Sequence, residues 1–342
     1  MAGGQERALR RRIRSVESTK KITKAMELIS ASQIIRAQGR VAAARPYSEQ
    51  ITEVIRNLAA AGAGGGDQPL LAGREEVRTV GFVVLTADRG LAGGYNPSVI
   101  RAAERALKAE VAAGRDYSLI LVGKKAQAYF KFRKYKIDAA FQGFSDKPSY
   151  EDARAVAAEV LARFEDGRVD RVELVYTQFL SLASQRVQTR RFVPLETLAD
   201  DVAAAGVGAG GGAGSANGGL TADYEFEPEP GEILGQLVPR YVEARLFAAM
   251  LDAAASEHAA RQRAMKSATD NAEELIKVLA RRMNRARQES ITSEIMEIVG
   301  GAEALAQASS GEVDLLRDRM EDPDLFRHHE RKLDRREHQE NR

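Results

Sequence analysis

The feature that most limits the fold is the absence of proline from two long stretches, one near each end of the chain. No proline precedes Pro46, and none lies between Pro239 and Pro323. From Gln5 to Ala61, apolar residues recur at Leu9, Ile13, Val16, Met26, Ile29, Ile34, Ile35 and Val41, with Ala25, Ala31 and Ala37 between them. Steps of three and four are helical periodicity. The stripe is thin and is broken by Lys20, Lys21 and Thr23, which suits a coiled-coil seam better than the broad face of a globular helix. At about 1.5 Å per residue this helix reaches roughly 80 Å, whereas a small domain is about 30 Å across. From about Glu232 to Ala308 the pattern returns at Leu237, Tyr241, Val242, Phe247, Met250, Leu275, Leu279, Met283, Ile291, Ile295 and Ile298. That helix has room for roughly 100 Å. Pro46 and Pro239 are the expected kinks, and Gly62–Gly66 is the expected stop of the first helix.

The middle of the chain has a different rhythm. Thr79–Ala87, Ser118–Val122 and Val172–Phe179 are apolar, β-rich runs, and Gln185–Val193 alternates. Asn96–Ala113, Lys124–Phe132 and Tyr150–Phe164 read as helices between them. Buried strands alternating with helices imply a mainly parallel sheet covered on both faces. The expected fold is therefore α/β plus a long antiparallel coiled coil, with the terminal helices forming a shaft and a Rossmann-like domain between them. The expected segments are an N-terminal helix (1–61), an α/β domain (62–205), a glycine-rich connector (206–231), a C-terminal helix (232–308) and a charged tail (309–342). Eight of the fourteen residues in Gly206–Gly219 are glycine, which leaves too few apolar groups to bury a core.

Charge and composition narrow the function. Lys plus Arg number 51 and Asp plus Glu 49, for a net charge of +2. That balance hides a basic segment: Gln5–Arg45 carries eleven bases against three acids. Such an excess attracts an acidic partner. There is no cysteine, which excludes disulfides and thiolate metal sites. No apolar run is long enough to span a membrane, and the N-terminus lacks the apolar core of a secretory signal. A cytoplasmic protein, free or on the cytoplasmic face of a membrane complex, is expected.

The turn Ala87–Gly94 follows a strand and is rich in glycine, which invites a phosphate-binding reading. Its spacing does not match GxGxxG, and Gly123-Lys124-Lys125 lacks the rest of a Walker loop. The chain is therefore expected neither to hydrolyse ATP nor to bind it tightly, and a tight turn is the plainer reading. The four histidines, His258, His328, His329 and His338, have no zinc-like partner set. No catalytic residue, cofactor or metal is assigned. The bases Arg10–Arg12, Lys20, Lys21 and Lys24 could face nucleic acid, but no aromatic residue precedes Tyr47 for stacking. On these grounds the chain is a mechanical coiled-coil part, a structural or nucleic-acid-binding coiled coil with an accessory domain, or a doubly wound enzyme.

Three segments taken together are more specific. They are Ser18–Leu28 (STKKITKAMEL), Thr86–Gly94 (TADRGLAGG), and Ala264–Ala272 (AMKSATDNA) followed by Arg285–Ile295 (RARQESITSEI). In this order and spacing the chain resembles the gamma subunit of rotary F-type ATP synthases over roughly residues 1–308. The resemblance implies a non-catalytic rotor at the cytoplasmic face of the cell membrane, peripheral to it and without a span. It implies partners in the alpha and beta subunits of the ring, epsilon and the c-ring, and no nucleic acid. Lys20, Lys21, Lys24 and Met26 match shaft positions that meet beta subunits, as do Arg261, Arg287, Gln288 and Thr292. Tyr224, Phe226 and Glu227 match the foot, on the epsilon or c-ring side. Met26 and Ile291 can equally be seam residues, and as such would be close neighbours across the helix pair.

Overall fold

The computed structural model describes residues 2–58, 70, 73–74, 76–195 and 230–320. The expected stop at Gly62–Gly66, the Gly206–Gly219 stretch, the foot residues Tyr224, Phe226 and Glu227, and the tail beyond Met320 lie outside the described residues. The described chain forms helix α1 (Ala2–Leu58), strand β1 (Thr79–Leu85), α2 (Tyr95–Ala112), β2 (Asp116–Val122), α3 (Lys124–Phe132), β3 (Ala139–Phe141), α4 (Tyr150–Glu165), β4 (Arg171–Phe179), β5 (Gln185–Val193) and α5 (Pro230–Met320). Both terminal helices run through their prolines, Pro46 and Pro239. The chain divides into two compact units, one of residues 20–271 and one of residues 1–19 with 272–342.

In the larger unit the sheet order is β3-β2-β1-β4-β5. β1 pairs in parallel with β2 and β4, β2 pairs in parallel with β3, and β5 closes the edge antiparallel to β4. Alternation along β1 divides its side chains between two cores. Val80, Phe82 and Val84 pack with α2 and α3 residues such as Val99, Leu107 and Phe130. Val83 and Leu85 face the other way, toward Val156, Val160 and Phe164 of α4. Ile51, Ile55 and Leu58 of α1 and Leu234, Val238, Tyr241 and Val242 of α5 join that second core. Burial of this many aliphatic and aromatic side chains, each contributing roughly 1.5–3 kcal/mol, locks the two long helices onto the sheet.

Helix α4 shows a local cause for its start. Ser149 accepts the backbone N–H of Asp152, and the Asp152 carboxylate accepts the N–H of Ser149, forming a reciprocal capping box. The middle of α5 is different, because Tyr241–Ala259 is buried on nearly every side. A helix enclosed all round must be apolar or internally paired, and this stretch is rich in alanine.

Within the same unit α1 and α5 run antiparallel. The Thr23 and Thr269 hydroxyls hydrogen-bond at 2.8 Å. Further along, Ala44 and Ala248 line one small cavity of about 130 Å³ with Tyr47, Tyr150 and Phe247. The Thr23–Thr269 bond fixes the antiparallel alignment of the two helices at that point. It sets Met26 opposite the neighbourhood of Lys266 and corrects the expected pairing of Met26 with Ile291. Periodicity identifies which face of a helix is apolar, but it carries no information about how far one helix has slid along another.

In the smaller unit the start of α1 and the end of α5 each have an inward row. Leu9, Ile13 and Val16 are half-buried, while Ala272, Leu279 and Ala286 are buried. Every residue from Ile291 to Ala308 is exposed, including Ile291, Ile295, Ile298 and Leu305. Helix α5 continues past the expected end at Ala308 to Met320.

Candidate functional site

In a doubly wound sheet, ligands bind beyond the carboxyl ends of the strands where the strand order reverses. Here that position lies between β1 and β4, and the loop Thr86–Gly94 occupies it. Three side chains hold its first turn. The Thr86 hydroxyl donates to Val122 O and accepts the N–H of Ala126. Asn96 accepts the N–H of Ala87 at 2.9 Å. The Asp88 carboxylate accepts three backbone N–H groups: Lys124 at 3.0 Å, Gly143 at 2.8 Å and Ser145 at 3.2 Å.

The Asp88 arrangement explains why a nucleotide-like loop need not bind a nucleotide. Successive backbone N–H groups at a helix start form a nest that favours an anion. At α3 the chain satisfies these groups itself: the Lys124 N–H goes to Asp88, that of Lys125 to Ala87 O and that of Ala126 to Thr86. Asp88 thereby ties the loops after β1, β2 and β3 together. Replacing Asp88 by alanine is expected to cost about 1–3 kcal/mol, the usual range for hydrogen bonds to a charged group. Urea denaturation measures it, and an unchanged midpoint would show that the three loops stand independently.

The same loop is gripped by α5. The Tyr95 hydroxyl donates to Ala253 O at 3.2 Å, and burial pushes its pKa well up, so it remains a donor. The Arg261 guanidinium donates to Gly90 O at 3.3 Å and to Glu257 at 2.5 Å. His258 Nε2 lies 3.1 Å from Asp146 O. Burial lowers the His258 pKa, which favours the neutral ring. Burial raises the Glu257 carboxyl above its usual range, and the neighbouring Arg261 charge opposes that rise. Ser256 donates to Thr177 O of β4 at 3.2 Å. The long helix is thus fastened to the sheet and its loops by directional hydrogen bonds as well as apolar contact, with a buried ion pair inside α5 orienting Arg261 toward Gly90.

The residues expected to meet partners fall into three groups. Lys21 and Lys24 are exposed on α1, Lys20 and Met26 are half-buried beside the seam, and Lys24 pairs with Glu27 at 3.1 Å. Arg287, Gln288 and Thr292 are exposed on the last part of α5, in the smaller unit. Arg261 differs from both, being buried with its guanidinium used inside the chain by Glu257 and Gly90. The family resemblance implied a contact with beta subunits for it. Its inward turn follows from the all-round burial of the helix just before it. Tyr95, Ser256 and Glu257 were not anticipated. The sequence signal available for them was the run of alanine around Ser256 and Glu257, which marks polar groups set in an enclosed helix.

Among the described residues there is no cluster of metal-binding side chains, and no helix is long and apolar enough to cross a membrane. Residues 5–305 match the family model described as ATP synthase. The chain is 48% identical over 310 residues to the ATP synthase gamma chain of Frankia casuarinae, covering 90% of this chain and 99% of that protein. It is 44% identical over 314 residues to the ATP synthase gamma chain of Streptomyces coelicolor. Its fold resembles a chain in the Euglena gracilis mitochondrial ATP synthase, with a TM-score of 0.61 at 19% identity over 90% of this chain and 96% of that one. A chain from the central stalk and c-ring structure of the Tetrahymena thermophila mitochondrial ATP synthase gives a TM-score of 0.54 at 22% identity, covering 72% and 99%.

Proposed function

Because the chain belongs to the ATP synthase gamma-chain family, we propose that it acts as the central rotor stalk of a proton-translocating F-type ATP synthase at the cytoplasmic face of the cell membrane. In this reading it makes no bonds itself. It couples rotation of a c-ring to conformational change in catalytic beta subunits, with alpha subunits completing the ring around it and epsilon beside its foot at Tyr224, Phe226 and Glu227. The observation that carries the reading is the helix pair: two antiparallel helices, hydrogen-bonded to each other at Thr23–Thr269 and fastened to a sheet by the loop after β1.

A shaft that turns inside a ring needs contacts that form and break. Exposed ion pairs suit this, because each contributes only about 0–1 kcal/mol. Lys20, Lys21 and Lys24 on α1, with Met26 beside them, supply such contacts toward acidic beta-subunit loops. Arg287, Gln288 and Thr292 supply a second set. Arg261 is assigned to positioning, since its charge is used internally.

Two experiments test the reading. Affinity purification of the chain from membranes should bring down alpha, beta, epsilon and c subunits in fixed ratio; recovery of the chain alone would sink it. Met26→Lys adds a cation beside lysines that already face acidic loops. The complex should assemble, yet its proton pumping per ATP hydrolysed should fall. A contact about 1.4 kcal/mol stronger slows a rotation-limited step about tenfold. A normal pumping ratio would leave Met26 as a seam residue only.

A further inference from the structure

Next to the loop after β1, on the α2 side of the sheet, lies a cavity of about 400 Å³. Gly93, Gly94, Ser98, Thr177, Gln185 and Arg263 are among the residues that line it. It sits at the carboxyl ends of β1 and β4, the place where a doubly wound sheet ordinarily takes a ligand. The opening N–H groups of α3 are taken by Asp88, the Ala87 carbonyl and the Thr86 hydroxyl, and no side chain serves the start of α2 in that way. Helix α2 starts at Gly94 with no side-chain cap; the Tyr95 N–H goes to Ala92 O and Pro97 has none, so the Asn96 N–H and the dipole of an 18-residue helix are what this end offers an anion.

A second, independent observation comes from β4. Thr177 is 5% exposed, and its Oγ1 has no hydrogen-bond partner among the described residues. Side chains alternate along a strand. Val175, two residues earlier, packs into the α2-side core, so Thr177 points to the same side. A buried hydroxyl left without a partner costs about 1–3 kcal/mol, which an occupant of the cavity would remove. A single water occupies only about 30 Å³, so the space admits something larger.

The charge at the rim selects the occupant. Arg263 donates to Leu182 O at 2.5 Å and to the Gln185 side chain. A guanidinium has five N–H donors, so others remain for a ligand. One oxygen of the nearby Glu257 carboxylate is engaged by Arg261, the other having no hydrogen-bond partner among the described residues. We propose that this cavity binds a phosphate group, held between the start of α2, the Ser98 and Thr177 hydroxyls, and Arg263. The ligand would bridge α2, the β4–β5 hairpin and α5, stiffening the joint between helix and sheet. The proposal does not depend on the rotor reading.

The test uses the full chain, titrated with inorganic phosphate against chloride at matched ionic strength by calorimetry and thermal melting. Saturable binding of one phosphate per chain is expected, with a rise in melting temperature. Thr177→Val, which keeps shape and loses the hydroxyl, and Arg263→Gln should each weaken it at least tenfold. Arg36→Gln, an exposed arginine on α1, should leave it unchanged. Arg263→Gln also removes a contact to the hairpin, so Ser98→Ala serves as the milder variant, with circular dichroism confirming the fold. A parallel titration with glycerol 3-phosphate separates two sources. Tighter binding than phosphate assigns an ester, and equal or weaker binding assigns the free ion. Absence of saturable binding, or equal binding by wild type and all variants, would mean an adventitious ion only and would overturn the proposal.

Discussion

Gly123→Ala is expected to abolish the stable fold of the α/β domain. Gly123 joins β2 to α3 with φ of +97°, a region L side chains rarely adopt. A Cβ there would lie 2.2 Å from Thr86 O and 2.7 Å from Thr86 C. These are backbone atoms at the end of the central strand and cannot swing aside. The left-handed conformation costs about 1–3 kcal/mol, and the clash with the backbone adds to it. A loss above about 4 kcal/mol is expected, most of the stability of an ordinary domain. Two other glycines serve as controls. Gly114 has φ of +80°, and a Cβ added there would meet nothing within 4 Å, so Gly114→Ala should cost only about 1 kcal/mol. Gly39, inside α1 with open space around it, should stabilise by about 0.5–1 kcal/mol when changed to alanine. Soluble yield and thermal melting of the three variants check the order. A Gly123→Ala protein that melts like wild type would show that the β2–α3 turn can move.

The contrast among those glycines shows what the sequence can carry. The apolar runs of β1, β2 and β4 and the three-and-four spacing of the terminal helices are local signals, and they led directly to the elements observed. β3 spans only Ala139–Phe141, too short to show a period, and it was not anticipated. The role of Asp88 depends on Lys124, Gly143 and Ser145, in loops far along the chain that only the sheet order brings together. The motif around Asp88 was visible, but its partners were not. The same holds for the helix register: Thr23 and Thr269 are 246 residues apart, and neither is unusual in its own segment. Arg261 stood out through the resemblance, but its burial was not legible, because burial depends on what surrounds a helix.

Arg261→Met is the second large effect. Removing one member of a buried ion pair leaves the other charge without compensation, at a cost of about 3–5 kcal/mol. For a domain of this size that corresponds to a melting temperature roughly 10 °C lower. The pH dependence supplies a sharper check. Burial raises the Glu257 pKa in the folded state, and loss of the Arg261 charge raises it further. The folded variant then holds a proton that the unfolded chain releases. Its stability should be greatest below the ordinary carboxylate range and fall as pH rises through the raised pKa of Glu257. The double variant Glu257→Gln with Arg261→Met should recover part of the loss and flatten that dependence. Equal melting of wild type and Arg261→Met across pH 5–8 would show that the pair contributes nothing to the grip on the loop after β1.

The seam of α1 between Lys20 and Ile34 has a mechanical consequence. Its buried positions there are Thr23 and Ser30, small and polar, whereas Ile51, Ile55 and Leu58 anchor the far end in the sheet core. Apolar burial contributes about 0.8 kcal/mol per methylene, so a seam of hydroxyls resists relative rotation of its two helices far less than one of isoleucines. One hydrogen bond at Thr23–Thr269 fixes where the helices meet without making them rigid in twist. The end of the pair that holds Thr23 and Ser30 is therefore where the two helices can shift against each other with the least loss of buried apolar surface, while the end set in the sheet core gives up the most.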